Sequence, residues 1–251
     1  MTAKAEKYYY GDFTEEKYHN IIKLAHERGT FCTYNTVGGG KKDIIWRHDI
    51  DVSAHRALWM AKAEAKEGLH AIYFVLMDSP FYNMMERDVY EKLLGIRDLG
   101  HEIGIHLDCE SLPVDASEDD LVEKLSFLKG VFENVFQQEM KSFAFHVPNE
   151  TIMNKFYKDK YAGLCNAYSK KIREQISYCS DSEGYWRFRR LEEFIQKEDK
   201  YPLCVLTHPV WWTPEVMSPA ERVKRAIEGR SQKEMDIYNS VLCRNTELKL
   251  I

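Results

Sequence analysis

Asp49 and Asp51 stand one residue apart at the end of an apolar, β-favouring run, Ile44-Ile45-Trp46-Arg47-His48-Asp49-Ile50-Asp51. Side chains alternate across a strand, so both carboxylates point to one face. Two like charges this close repel, and a cation between or beside them is the usual reason they are kept. The plainer reading is a strand running into an acidic turn, since Asp favours turns. Other strand-like runs also end in reactive groups. His101 to Leu107 carries His106 and leads to Asp108 and Glu110; Ser142 to His146 ends in an imidazole; Ile176 to Ser180 leads to Asp181; Leu203 to Thr207 leads to His208. One strand-end histidine usually satisfies a local hydrogen bond. Several converging on one rim point to a metal or acid–base centre.

The elements that must position these groups alternate along the chain. Helices are expected over about 12–27 (Asp12 and Glu15 spaced as a capping box), from Ser53 to Gly68, around Val89–Ile96, from Ser117 to Phe136, over Leu191–Gln196, and from Ser218-Pro219 onward. Between them lie the strand candidates, of which Ala71–Met77 is apolar throughout, as in a strand buried on both faces. Strands separated by helices argue for a parallel sheet, and their number favours a barrel. The expected fold is α/β, a single-domain distorted (β/α)7-type barrel with parallel strands spanning residues 1–251. Its motifs fall over about 44–212 and a C-terminal helix over about 218–244. In such barrels chemistry collects at the C-terminal ends of strands, where the reactive groups of the first paragraph fall.

Composition narrows the class. Among 251 residues, 44% are hydrophobic and 30% charged, which suits a well-cored protein, and a net charge of −5 gives no electrostatic track for nucleic acid. The N-terminus, Met1 to Lys7, has no apolar core of a signal peptide, and no run approaches the ~20 apolar residues of a membrane span. Six cysteines are scattered without a Cys-x-x-Cys pair, which suits free thiols in a reducing cytoplasm.

The run Gly100-His101-Glu102-Ile103-Gly104 with His106, the upstream double Asp, and Leu206-Thr207-His208 resemble the motifs of polysaccharide deacetylases, the NodB-homology or carbohydrate esterase family 4 group. The match runs from about residue 44 to 212 in the family's motif order. More narrowly, Arg47–Asp51, Ser180–Arg187 and His208–Trp212 resemble an intracellular branch linked to bacterial surface-polysaccharide (O-antigen) biosynthesis. The resemblance implies a divalent metal, zinc by family habit, and hydrolysis of an N-acyl (acetamido) group on a sugar or sugar precursor. The expected substrate is a small-molecule sugar or a lipid- or nucleotide-linked one. The resemblance gives Asp49 as general base, Asp51 and His106 as metal ligands, and His208 as the acid that protonates the leaving group. It also gives Asp181 as the group orienting His208, with Trp186 lining the pocket. Strand alternation agrees on one point: His106 shares a face with Gly104 and Asp108, whereas His101 points away.

Two departures matter. The family places a second metal histidine four residues after the first, where this chain has Glu110. It also places an arginine beside the base in its third motif, where this chain has His146. Zinc typically takes three protein ligands. His146 is favoured for the missing one, with Asp108 and Glu110 as alternatives. Arg47, on the face of Asp49, could supply the missing positive charge or meet substrate, and Trp211 and Trp212 could stack on sugar rings or simply pack in the core. Two other classes stay open. Asp49-Ile50-Asp51 also resembles the Asp-x-Asp of metal-dependent glycosyltransferases, and the altered motifs would suit a deacetylase-like scaffold that binds sugar without turnover.

Overall fold

A computed structural model describes residues 3–186, 188–197 and 199–242. Arg187, Cys243 and the expected last residues of the C-terminal helix lie outside the described residues. In chain order the elements are α1 (Ala3–Lys7), α2 (Glu15–Arg28), β1 (Thr30–Cys32), β2 (Asp43–Ile50), α3 (Ala54–Lys66), β3 (Ile72–Leu76) and α4 (Arg87–Asp98). Then come β4 (Glu102–Asp108), α5 (Glu118–Phe136), β5 (Ser142–His146), α6 (Glu150–Lys155), β6 (Lys160–Tyr161), β7 (Leu164–Asn166) and α7 (Lys170–Gln175). The chain finishes with β8 (Ser177–Ser180), α8 (Leu191–Lys197), β9 (Leu203–Thr207) and α9 (Pro219–Leu242).

One sheet holds all the strands in the order β6-β7-β5-β4-β3-β2-β9-β8, with β1 beside the start of β2. Every pairing is parallel except β6 with β7. The sheet curls into a half-barrel, as the expected distorted barrel requires, and β2 lies between β3 and β9.

The two faces of the sheet differ in size and polarity. Alternate residues such as Trp46, Tyr73, Ile105, Phe143 and Val205 pack outward with Ile21, Ile22, Met60, Leu93, Leu125 and Phe132 of the helices, forming the main core. At about 1.5–3 kcal/mol for each fully buried large apolar side chain, this outer layer carries most of the fold's stability. The inner layer is smaller: Ile45, Ile72, Phe74, Ala144, Cys165 and Cys204, with Tyr34. That leaves the inside of the curl free to hold polar groups higher up.

Local signals mostly act as read. Ser53 accepts from Arg56 N at 3.2 Å to cap α3, Ser117 and Asp120 form a capping box on α5, and Pro219 opens α9. The Asp12–Glu15 capping box is a correction. Thr14 is the cap of α2, accepting from Lys17 N at 3.3 Å, because Asp12 is drawn off by Arg190, whose Nε and Nη2 reach its carboxylate at 2.8 and 2.7 Å. The glycine run Gly38–Gly40 is tied down, since the Asp43 carboxylate accepts from Gly38 N at 2.7 Å and Gly40 N at 3.1 Å. Among the described residues no helix is long and apolar enough to cross a membrane.

Candidate metal and acid–base site

Strand alternation brings five groups to one end of the curl. On β2 the inward positions are Ile45, Arg47 and Asp49, and Asp51 follows the strand's end. β4 supplies His106, β5 ends in His146, and β9 leads straight into His208. Register decides who meets whom. His48 pairs with Thr207, so Asp49 and His208 come next on adjacent strands. His106 pairs with Ala144, placing His146 one inward position further along. Gly104, the inward position below His106, is needed because the Phe74 ring crosses it, and a Cβ there would come within 2.5 Å of that ring.

Asp51, His106 and His146 each offer one ligand atom, and these atoms lie within 4.8 Å of one another. Asp51 Oδ1 is buried and, among the described residues, accepts no hydrogen bond, although His106 Nε2 and His146 Nδ1 lie 3.3 and 3.6 Å away. An orphaned buried carboxylate oxygen is costly in a folded protein unless something else occupies it. The histidine tautomer also suits a ligand. His106 Nδ1–H donates to the Ala144 carbonyl at 3.0 Å, which leaves the Nε2 lone pair facing Asp51. Two imidazoles and one carboxylate are a donor set for zinc or a similar divalent ion, so the residues present fit the metal that the sequence resemblance implies.

Asp49 and His208 flank this donor set and are both held from behind. Arg47 Nε and Nη2 donate to the two oxygens of Asp49 at 3.1 and 2.7 Å. Tyr34 accepts from Arg47 Nη1 at 3.3 Å, and the Tyr168 hydroxyl lies 3.5 Å from Nη2. Burial alone would raise the Asp49 carboxyl, but Arg47, His106 and His208 outweigh it and hold the group down at about 2. On the other side, His208 Nδ1–H donates to Asp181 Oδ1 at 2.6 Å. Asp181, fully buried, also accepts from His208 N and from Trp212 Nε1 at 3.1 Å. Burial would lower the His208 imidazole, yet Asp181, aided by Asp51 and Asp49, lifts it to about 9. His208 Nε2 lies 3.7 Å from Asp51 Oδ2, and His106 Nε2 lies 3.5 Å from Asp49 Oδ2. A fixed carboxylate and a fixed imidazolium thus stand beside a metal-type donor set.

Some residues singled out in the sequence lie elsewhere. The Asp108 carboxylate accepts from Glu110 N at 3.0 Å and caps a short turn, and neither residue joins the donor set. Arg47 is 1% exposed and faces Asp49 rather than open space. Trp186 is buried, stacked on Phe13 with 4.8 Å between ring centroids. Trp212 is buried and serves Asp181, while Trp211 lies against Gly184 and the start of α9. His101 is buried on the outer side: its Nδ1 accepts from Ala71 N and its Nε2–H donates to Ala61 O, both at 3.0 Å.

Behind the site, on the outer face of β2, lies a second polar cluster that motif reading did not single out. Glu64 of α3 is fully buried and accepts from Tyr73 at 2.6 Å, from Tyr18, and from His48 Nε2 at 2.7 Å. His48 Nδ1 meets the Thr207 hydroxyl at 2.7 Å. Trp46 Nε1 donates to Tyr18 at 3.1 Å. Burial would raise the Glu64 carboxyl, but His48, His101 and Tyr18 bring it below its ordinary value, so it is an anion. The one available signal was His48 itself, a polar residue on the apolar face of a strand.

No family model matches the sequence, and no curated protein matches it. Among solved structures, the Xyl-CE4 domain of a multidomain xylanase from the hindgut metagenome of Trinervitermes trinervoides is 12% identical, with a TM-score of 0.45 over 77% of this chain and 85% of that one. A family 4 acetyl xylan esterase from Clostridium thermocellum, in complex with a cobalt ion, is 13% identical, with a TM-score of 0.44 over 76% of this chain and 84% of that one. A CE4 family pseudoenzyme from Bacillus anthracis is 14% identical, with a TM-score of 0.40 over 77% and 62%. Likeness at this level carries no argument about activity, which has to rest on the residues themselves.

Proposed function

We propose that this chain is a divalent-metal-dependent hydrolase that removes the N-acyl group of an acetamido sugar or sugar precursor. The observation that carries the reading is the donor set of Asp51, His106 and His146, with its orphaned carboxylate oxygen, flanked within 4 Å by Asp49 and His208. When bound there, a zinc-type ion supplies a Lewis acid that polarises an acyl carbonyl and makes a water more acidic. Asp49, ionised and pinned by Arg47, takes the proton of the attacking water. The water oxygen bonds to the acyl carbon and the carbon–nitrogen bond breaks. His208, a cation at neutral pH and aimed by Asp181, gives its Nε2 proton to the departing nitrogen. The products are a carboxylate, acetate for an acetamide, and an amino sugar.

Resemblance of the Arg47–Asp51 and His208–Trp212 runs to the intracellular branch supports a cytoplasmic precursor of a bacterial surface polysaccharide, carried on a lipid or a nucleotide, as substrate. One observation favours a second reading, a sugar-binding scaffold without turnover. Arg47 engages both oxygens of Asp49 and holds it at about 2, which weakens it as a base. Acetate release from acetamido nucleotide-sugars by zinc-loaded protein separates the two. The proposal expects release that a chelator abolishes. Saccharide binding with no release would establish the scaffold reading instead.

A further inference from the structure

We infer that Glu64, His48 and Thr207 form a positioning clamp that fixes β2 against β9 directly behind the base and the acid. The inference rests on the hydrolase reading for its catalytic meaning, but its geometry stands independently. His48 and Thr207 are paired in register, and their side chains meet at 2.7 Å on the outer face of the sheet. The next residues along, Asp49 and His208, project to the inner face and are the proton acceptor and donor of the proposed reaction. His48 Nε2 continues the connection at 2.7 Å to Glu64 of α3, whose carboxylate is also held by Tyr18 of α2 and Tyr73 of β3. One anion therefore ties two helices and two strands to the hydroxyl one residue before His208.

Carboxylate, imidazole and hydroxyl connect here in the order of a nucleophilic triad, but Thr207, His48 and Glu64 are all fully buried, so no substrate reaches the hydroxyl. Stability is not the reason for such a cluster either. A buried charge with its partners can often be replaced by apolar groups at no loss. What apolar packing does not supply is direction: a hydrogen-bonded chain across two strands fixes their shear and twist, whereas methyl groups slide. Asp49 and His208 belong to different strands, and a displacement of about 1 Å between reacting groups can cost on the order of a hundredfold in rate. The Asp181–His208 bond sets the ring on β9, and Arg47 sets the carboxylate on β2, while the backbone ladder from Ile44 and Leu203 to His48 and Thr207 fixes the register of the two strands. The His48–Thr207 side-chain bond adds a second tie at the last rung of that ladder, directly before Asp49 and His208.

Thr207→Val keeps the shape and removes only the hydroxyl, and Thr207→Ser keeps the hydroxyl. In zinc-loaded full-length protein the clamp predicts that Thr207→Val lowers kcat about tenfold, with KM and zinc affinity within about twofold of the parent, and that Thr207→Ser restores most of the rate. Amide hydrogen exchange supplies a second arm that needs no turnover. Exchange should quicken at the end of β9 and the facing part of β2 in Thr207→Val, and stay unchanged in the β3–β4 ladder. Unchanged exchange, uniformly faster exchange, or local loosening with an unaltered kcat would each overturn the clamp. Failure of the parent protein to release acetate, with the local exchange effect present, would overturn the hydrolase reading and confine the clamp to a structural tie.

Discussion

The two faces of β2 carry two polar clusters of similar chemistry and opposite completeness. Outward, Glu64, His48, His101, Tyr18 and Tyr73 are wholly buried, and each side chain has hydrogen-bond partners within the protein. Inward, Asp49 and His106 are nearly as deeply buried, yet among the described residues Asp51 Oδ1 has no hydrogen bond, and His146 and His208 are partly open to the rim. A satisfied polar cluster specifies structure, whereas an unsatisfied one has a place for something else. Residue type does not distinguish the two faces; exposure at the rim and hydrogen-bond accounting do.

The sharpest way to break this contrast is to alter one carboxylate on each face. Asp49→Asn on the inner face should lower turnover about a thousandfold, the scale of a lost general base, while isothermal titration shows zinc affinity essentially kept. Activity near the parent level would remove Asp49 from its role. Glu64→Leu on the outer face should act on stability, at about 3–5 kcal/mol in denaturant unfolding, because His48 and two tyrosines lose a buried partner together. A loss below about 1 kcal/mol would mean the outer cluster is no tighter than the inner one.

How much of this was legible in the sequence follows from the same contrast. Period-two alternation was enough to put Arg47 with Asp49 on one face of their strand and His106 with Gly104 on one face of theirs, because successive side chains in a strand point to opposite faces. The parallel sheet and most helix starts followed from strand runs and capping residues. The capping of α2 did not, since Asp12 was claimed by Arg190 from 178 residues away. For the same reason Trp212 stayed open between stacking on a sugar ring and packing in the core. Nothing local to Trp212 says that its indole will meet Asp181, 31 residues earlier. Glu64 was invisible as a functional residue because it reads as one acidic position in an ordinary helix. Only the packing of α3 on β2 shows that it faces His48.

The two faces should also respond to pH in opposite directions in metal-free protein. His208 is lifted to about 9 in the fold, above the ~6.5 of an ordinary histidine, and His106 is raised as well. Groups with raised values contribute stability that is fully present below the ordinary value and lost as pH climbs through the folded one. His101 on the outer face is lowered, chiefly by burial, so its contribution is lost instead as pH falls below about 6.5. Urea midpoints of the metal-free protein should therefore fall between pH 6.5 and 9.5, by roughly 1–3 kcal/mol in stability. In Asp181→Asn that slope should flatten, because Asp181 is the main group raising His208. A slope unchanged by the substitution would mean that the imidazolium is not held there.

The smallest effect concerns the orphaned oxygen itself. Asp51→Asn in metal-free protein removes a charge that His106 and His208 attract but whose Oδ1 accepts no hydrogen bond. Desolvation has already cancelled much of that attraction, so the loss in unfolding free energy should stay within about 1 kcal/mol, well below the cost at Glu64. The same substitution should weaken zinc binding at least ~100-fold, since an amide is a poor ligand where a carboxylate balances the ion's charge. The two measurements together make the test sharp. A large stability loss with zinc affinity intact would mean that Asp51 belongs to a structural network like that of Glu64. A small loss with zinc binding abolished is what an incomplete cluster, completed by an ion, requires.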